Sequence, residues 1–134
     1  MSGISFLLDT NFVLGLLKRD ERIIEMVSHR EIIPTSCGVS AITRMELFGF
    51  SGIAPEDEQL IKERLSQFQY VPITREIENV VISLRRMRQI KLPDAIIAGT
   101  AFYLGAELLT LDQRLLAISV GLRQIFDRTS PFTD

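Results

Sequence analysis

The chain of 134 residues has no tryptophan, one cysteine and one histidine. The lone Cys37 excludes an internal disulfide, and together with the lone His29 it excludes a zinc site built from thiolates and imidazoles. A charge excess of one sign is missing as well. Fifteen Lys plus Arg face seventeen Asp plus Glu, a formal net charge of −2, so the molecule as a whole does not attract polyanions and any nucleic-acid contact has to use a local patch. Long apolar runs are absent too: residues 95–106 fall well short of the ~20 that span a bilayer. Residues 4–8 are too short for the apolar core of a secretory signal. No membrane role and a reducing cytoplasm are the expectation. Eight scattered glycines make neither a P-loop nor a dinucleotide fingerprint, which excludes a nucleotide-driven enzyme.

What is present is an ordinary globular balance, 46% apolar and 24% charged, with a length that suits a single domain over residues 1–134. Residues 4–8 read as a buried strand, residues 12–17 as a helix, and Ile23, Ile24 and Val27 mark an amphipathic helix that ends near residues 28–30. Residues 31–39 read as a strand, Ser40 as the cap of a helix over residues 41–48, and the Gly49 to Gly52 stretch as a breaker. A helix from Pro55 carries Ile61, Leu65 and Phe68. A strand over residues 70–73 precedes a helix from Arg75 with the stripe Ile77, Val80, Val81, Leu84 and Met87. An almost wholly apolar helix runs from Pro93 and Asp94 to Leu104, followed by a strand over 107–111, a helix over 112–120, a last strand over 123–127 and a polar tail. Met26, Met45 and Met87 are assigned to the core, as are Phe48, Phe50 and Ile53. Short apolar strands alternating with helices predict an α/β fold, a three-layer α/β/α sandwich with a mostly parallel central sheet.

Most carboxylates keep charged company, as in Glu56-Asp57-Glu58, and describe a solvated face. Four do not. Asp9 follows Phe6-Leu7-Leu8, Glu46 lies in Met45-Glu46-Leu47-Phe48, Asp94 in Leu92-Pro93-Asp94-Ala95-Ile96-Ile97, and Asp112 ends Leu108-Leu109-Thr110-Leu111. Singly, each has a structural reading: Asp9 and Asp112 as helix caps, Asp94 answering a helix dipole, Glu46 paired with Arg44 or facing solvent. Jointly they are harder to explain, because Asp9 and Asp112 fall at strand carboxyl ends and Asp94 opens a helix, which brings them to one edge of a parallel sheet. Arg44 and Arg114 are the only cations close by in sequence. Carboxylates gathered without enough cations raise one another's pKa, and a hard divalent ion with oxygen ligands relieves that repulsion. The implied ion is Mg²⁺ or Mn²⁺, and the reaction that suits it is phosphodiester hydrolysis.

With these motifs in order, the sequence resembles a PIN-domain endoribonuclease, most closely the VapC toxins of type II toxin-antitoxin pairs. The resemblance rests on Leu8-Asp9-Thr10-Asn11, Ile42-Thr43-Arg44-Met45-Glu46-Leu47, Leu92-Pro93-Asp94-Ala95-Ile96-Ile97-Ala98 and Leu109-Thr110-Leu111-Asp112, and spans nearly the whole chain. It implies a PIN fold and a metal-binding, catalytic acid set of Asp9, Glu46, Asp94 and Asp112, with Asp9 and Asp94 the firmest pair and Asp112 the least regular position. Asn11 and Thr110 carry over as groups that support the acids or position substrate. It also implies RNA as substrate, a cognate antitoxin whose C-terminal segment covers the acids, a homodimer, and products with a 5′-phosphate and a 3′-hydroxyl.

Substrate recruitment needs positive charge, and Arg85, Arg86, Arg88, Lys91 and Arg114 are the nearest supply, with Lys18 and Arg19 as further candidates. His29 and Cys37 receive no role. Three rival readings stay open. One is a receiver-like domain phosphorylated on Asp9, which lacks the paired acids and late lysine such domains carry. Another is a catalytically silent PIN-like module that holds RNA or protein. The third is a nuclease acting on DNA or on ribosomal RNA during processing.

Overall fold

The computed structural model describes residues 3–129. Four short strands, β1 (Phe6–Leu8), β2 (Cys37–Ser40), β3 (Gln69–Val71) and β4 (Glu107–Leu109), lie in the order β3-β2-β1-β4, and every pairing is parallel. They are joined by α1 (Thr10–Leu17), α2 (Glu21–His29), α3 (Ala41–Phe48), α4 (Pro55–Leu65), α5 (Arg75–Met87), α6 (Leu92–Leu104) and α7 (Gln113–Thr129). The expected α/β/α sandwich is the fold observed.

The strands read as continuous apolar runs because both faces of the sheet are covered. Side chains alternate across the pleat. Leu7 and Leu108 join Val81, Leu84, Ala98 and Ile118 of α5, α6 and α7 on one face; Leu8, Val39 and Leu109 join Phe12, Ile23, Leu47 and Ile61 of α1 to α4 on the other. Leu7, Leu8 and Phe12 are fully buried, each a contribution of about 1.5–3 kcal/mol from removing apolar surface from water. Helix α6 is apolar on nearly every side because the sheet, α5 and α7 all pack on it, and it stops at Gly105, whose φ of 66° makes the left-handed cap.

The chain steps outward from β1 to β2 to β3, then returns over the opposite face through α5 and α6 to pair β4 with the other side of β1. Strand order therefore reverses between β1 and β4, and a parallel sheet opens a crevice beyond the carboxyl ends of its strands at such a point.

Several expectations are corrected. Residues 31–39 are not one strand: Pro34 has no N–H for a ladder, and residues Pro34–Ser36 form a 3₁₀ turn before β2 begins at Cys37. Residues 123–127 are not a strand but belong to α7, because the helical spacing of buried Leu115, Ile118 and Leu122 carries on without a breaker. Met45 and Met87 are both 53% exposed, flanked by exposed residues on each side, so they lie outside the core. Phe50 is 61% exposed at the tip of the turn between α3 and α4, whereas Phe48 and Ile53 are half-buried against the core as expected. The expected polar tail lies outside the described residues. Among the described residues no helix is long and apolar enough to cross a membrane.

Gly99 marks where α6 meets α5, since a Cβ there would sit 3.0 Å from Val81 Cγ2 and 3.4 Å from Val80 Cγ1. Gly99→Leu is expected to destabilise by roughly 1–3 kcal/mol through overpacking. Gly121→Ala, where a Cβ meets only Arg88 at 3.8 Å, is expected to stabilise by about 0.5–1 kcal/mol through helix propensity. Urea denaturation of both variants checks the pair, and an equally destabilised Gly121→Ala would contradict it.

Candidate active site at the sheet edge

Asp9 follows β1 directly. Its N–H donates to Leu109 O at 3.2 Å across the β1–β4 pairing, and its Oδ1 accepts the Phe12 N–H at 2.8 Å, which caps α1. The residue is 6% exposed. Asp112 follows β4 and does the same for α7, its Oδ1 accepting the Leu115 N–H at 3.0 Å, but it is exposed. Between them the Thr110 hydroxyl accepts the Asp112 N–H at 3.0 Å and turns its proton to the Asp9 carboxylate. Asp94 lies in the first turn of α6, half-buried, and accepts no hydrogen bond among the described residues.

Glu46 projects from α3, whose start is set by Ser40 Oγ accepting the Ile42 N–H at 3.1 Å. Its Oε1 accepts the Thr10 hydroxyl at 2.6 Å, and Thr10 Oγ1 is 3.2 Å from Thr43 Oγ1. A hydroxyl carries one proton. The anionic Glu46 is the nearer acceptor, so the buried Thr43 hydroxyl donates to Thr10, and a chain from Thr43 through Thr10 holds Glu46 toward α1. Glu46 thus neither pairs with Arg44 nor hangs free in solvent.

Asp9, Glu46 and Asp94, with Thr10, Asn11 and Phe50, line one open cavity of about 480 Å³. Asp112 is not in that lining, yet its charge reaches both Asp9 and Asp94. Burial is the main cause that pushes the Asp9 carboxyl above the usual range, with Asp112 and Asp94 adding to it, while bonds from Thr110 and Phe12 pull the other way. Asp94 is likewise raised, first by burial, then by Asp112 and Glu46, against a partial offset from Lys91 and Arg114.

The two cations nearest in sequence are turned to other partners. Arg44 stacks over the Phe48 ring at 5.2 Å from its centroid, and Arg114 donates to Gln89 O at 2.7 Å. Among the described residues none of the four acids is in an ion pair. The donors are carboxylates backed by threonine hydroxyls, with no thiolate or imidazole in the lining, and such a set fits a hard divalent cation. As the side chains stand, no three His, Cys, Asp or Glu among the described residues are grouped to hold a metal ion. Asp94, which accepts no hydrogen bond among the described residues, is the acid that no partner holds in place.

Of the basic candidates, Arg85, Arg88, Lys91 and Arg114 line a neighbouring cleft, and Arg86 does not. Lys18 lines an apolar cavity with Leu17, Phe50 and Leu60, and Arg19 lies exposed outside these linings. Phe50 and Ser51 border the acid cavity and were not foreseen there; the Gly49 and Gly52 that flank them were the signal, since a turn at that point projects whatever it carries.

The structure is a parallel α/β sandwich with unneutralised acids at its switch point. The chain belongs to the PIN domain family, whose model matches residues 6–120. It is similar to a chain of a toxin-antitoxin complex from Klebsiella pneumoniae, at 32% identity over 84% of this chain and 91% of that one, with a TM-score of 0.71. A DNA-bound VapBC from Salmonella typhimurium is 25% identical over 85% and 91%, with a TM-score of 0.70. FitAcB from Neisseria gonorrhoeae, 23% identical over 86% and 93% with a TM-score of 0.70, shares the fold. No curated protein matches the sequence. The likeness to VapC-type proteins read from four short motifs thus holds across the fold.

Because Asp94 is raised above its ordinary value of 3.8, the folded state binds its proton at a higher pH than the unfolded chain does. Stability from this group is greatest below the ordinary value and falls as pH rises through the raised one. Asp94→Asn is therefore expected to raise Tm by about 2–4 °C at pH 7 in EDTA, with the gain shrinking toward about pH 4. Calorimetry across that range checks it, and a lowered Tm at pH 7 would mean Asp94 has a stabilising partner.

Proposed function

We propose that this protein is a Mg²⁺- or Mn²⁺-dependent endoribonuclease, the toxin of a cytoplasmic toxin-antitoxin pair. The observation that carries the reading is the convergence of Asp9, Glu46 and Asp94 on one cavity at the strand-order reversal of a PIN domain, with Asp9 and Asp94 both pushed up in pKa and, among the described residues, no cation paired to either. Asp9, Asp94 and Asp112, with Glu46, would hold the metal. When bound, the ion supplies Lewis acidity that eases deprotonation of water and offsets charge on phosphorus.

The chain's own part is positioning. Asp9 and Asp112 each spend Oδ1 on a helix N–H, which fixes their orientation and leaves Oδ2 outside that bond. Thr110 locks the two to each other. Glu46 has Oε1 occupied by Thr10, so Oε2 is the atom that takes a proton from incoming water. Asn11, exposed in the cavity lining, supplies an amide to hold a phosphate or ribose oxygen. The water oxygen bonds to phosphorus as its proton passes to Glu46, the bond from phosphorus to the 3′-oxygen breaks, and the departing oxygen takes a proton from solvent, leaving a 5′-phosphate and a 3′-hydroxyl.

The toxin-antitoxin complexes among the structural neighbours support a protein partner for this chain, and an arginine from such a partner would neutralise Asp9 and Asp94. A homodimer belongs to the same reading.

Partner-free protein incubated with total cellular RNA in Mg²⁺ or Mn²⁺ is expected to cut at discrete sites. Cutting should stop in EDTA and drop at least about 100-fold in Asp9→Asn, Asp94→Asn protein. Sequencing of new 5′ ends reads it. Cutting that persists in excess chelator, or products ending in 2′,3′-cyclic phosphates, would sink the mechanism. RNA binding with no cutting at all would favour the silent binding module.

A further inference from the structure

Beside the acid cavity lies a second open cleft, of about 500 Å³, lined by Arg85, Arg88, Gln89, Ile90, Lys91 and Arg114. We propose that this cleft grips the phosphate backbone of the RNA strand as it passes the acids. The proposal rests on the nuclease reading and adds to it the path of the substrate.

Three segments converge to make the cleft. The last turn of α5 contributes Arg85, the connection to α6 contributes Arg88 and Lys91, and the first turn of α7 contributes Arg114. Four positive charges face one concavity, and among the described residues none of them is in an ion pair. In a chain whose net charge is −2, that is a local excess which internal pairing does not explain.

One guanidinium group is positioned in advance, and a second lies against α7. Arg114 spends one N–H on Gln89 O at 2.7 Å, which orients its planar fork and leaves four donors for a ligand. Arg88 reaches over α7, where its guanidinium stands 3.8 Å from the Cβ position of Gly121. Arginine forks held in this way match phosphate oxygens better than flexible ammonium groups do.

The two concavities draw on the same two helix starts, those of α6 and α7. Lys91 caps α6 in the basic cleft, and two and three residues later Pro93 and Asp94 line the acid cavity. On α7 the consecutive residues Arg114 and Leu115 line one each. A polyanion whose scissile phosphate enters a nest of carboxylates is repelled by them, and flanking phosphates held a turn of helix away offset that repulsion. The cleft's single apolar residue, Ile90, is buried, and the exposed side chains around it are mostly charged, which favours a nucleic-acid backbone over a folded protein partner.

Arg86 provides the internal control, exposed on the same helix and of the same charge but outside the lining. Binding of a labelled single-stranded RNA to the wild-type chain in EDTA is measured against KCl concentration, beside Arg85→Gln, Arg88→Gln double-substituted protein and Arg86→Gln protein. The double substitution is expected to reduce the slope of log K against log salt by about 1.4, since each single-strand phosphate contact contributes about 0.7, and to weaken binding roughly tenfold. Arg86→Gln should leave both unchanged, and circular dichroism confirms that all three proteins are folded. An unchanged slope in the double variant overturns the proposal, as does an equal loss in Arg86→Gln. Competition by polyglutamate as strong as by RNA of equal charge also overturns it and assigns the cleft to an acidic protein segment. Metal-dependent cutting is followed in parallel. Wild-type cutting with an unaltered slope in the double variant removes the cleft and keeps the nuclease, whereas a reduced slope without cutting removes the nuclease and keeps the cleft.

Discussion

The parallel pairing of β1 with β4 is the constraint on which the site depends. Leu8 is in register with Leu109, and the Asp9 N–H closes the ladder on Leu109 O. The two strands are far apart in sequence and become neighbours only because the chain reverses direction across the sheet. At that reversal two carboxylates and one threonine are delivered to the same crevice by backbone geometry alone. Lose the pairing, and Asp9, Thr110 and Asp112 have no reason to meet.

Three of the four acids are both scaffold and site. Asp9 and Asp112 cap helices, and Glu46 is tied through Thr10 to the buried Thr43; each of these interactions uses one carboxylate oxygen and leaves the second. The bland readings of Asp9 and Asp112 as caps are therefore correct, and they do not compete with a chemical role. A cap is a means of aiming a carboxylate, because a bond to a helix N–H fixes its direction more firmly than a solvated side chain allows. Asp94 is the exception. Among the described residues it has no hydrogen bond to orient it, its charge is raised in cost by burial and by Asp112 and Glu46, and that cost is borne by the rest of the fold.

The sequence made the elements that matter legible, and the reasons are specific. The end of β1 was readable because its apolar run stops abruptly at Asp9, whereas the strand expected over 107–111 ends two residues earlier, at Leu109. Asp94 stood out because an apolar helix tolerates an acid in its first turn only with a purpose or a dipole. The errors fell where local signals are weakest. Residues 123–127 carry an apolar pair that fits a strand as well as a helix, and only the continuation of the Leu115, Ile118, Leu122 spacing decides for α7. Met45 and Met87 sit at stripe positions of helices whose neighbours do not extend far enough to cover them, a tertiary fact that no window of sequence contains. Phe50 follows the same logic, since a turn rich in glycine states that the chain bends and not which way its aromatic points.

The distribution of charge reconciles a net charge of −2 with the polyanionic substrate proposed for the chain. Around the start of α6, Lys91 and Asp94 are three residues apart and face different concavities. Arg114, which eases the charge on Asp94 without pairing with it, is anchored to Gln89 O, and Arg44, the other cation near the acids in sequence, is drawn to the Phe48 ring. If either arginine collapsed onto the carboxylates, the repulsion that makes the acids avid for a dication would be spent on a surface ion pair worth little. Holding the cations close but engaged elsewhere leaves both halves unneutralised, the acids and the basic cleft alike. A site arranged in this way gains from its ligands the neutralisation that it denies itself in their absence.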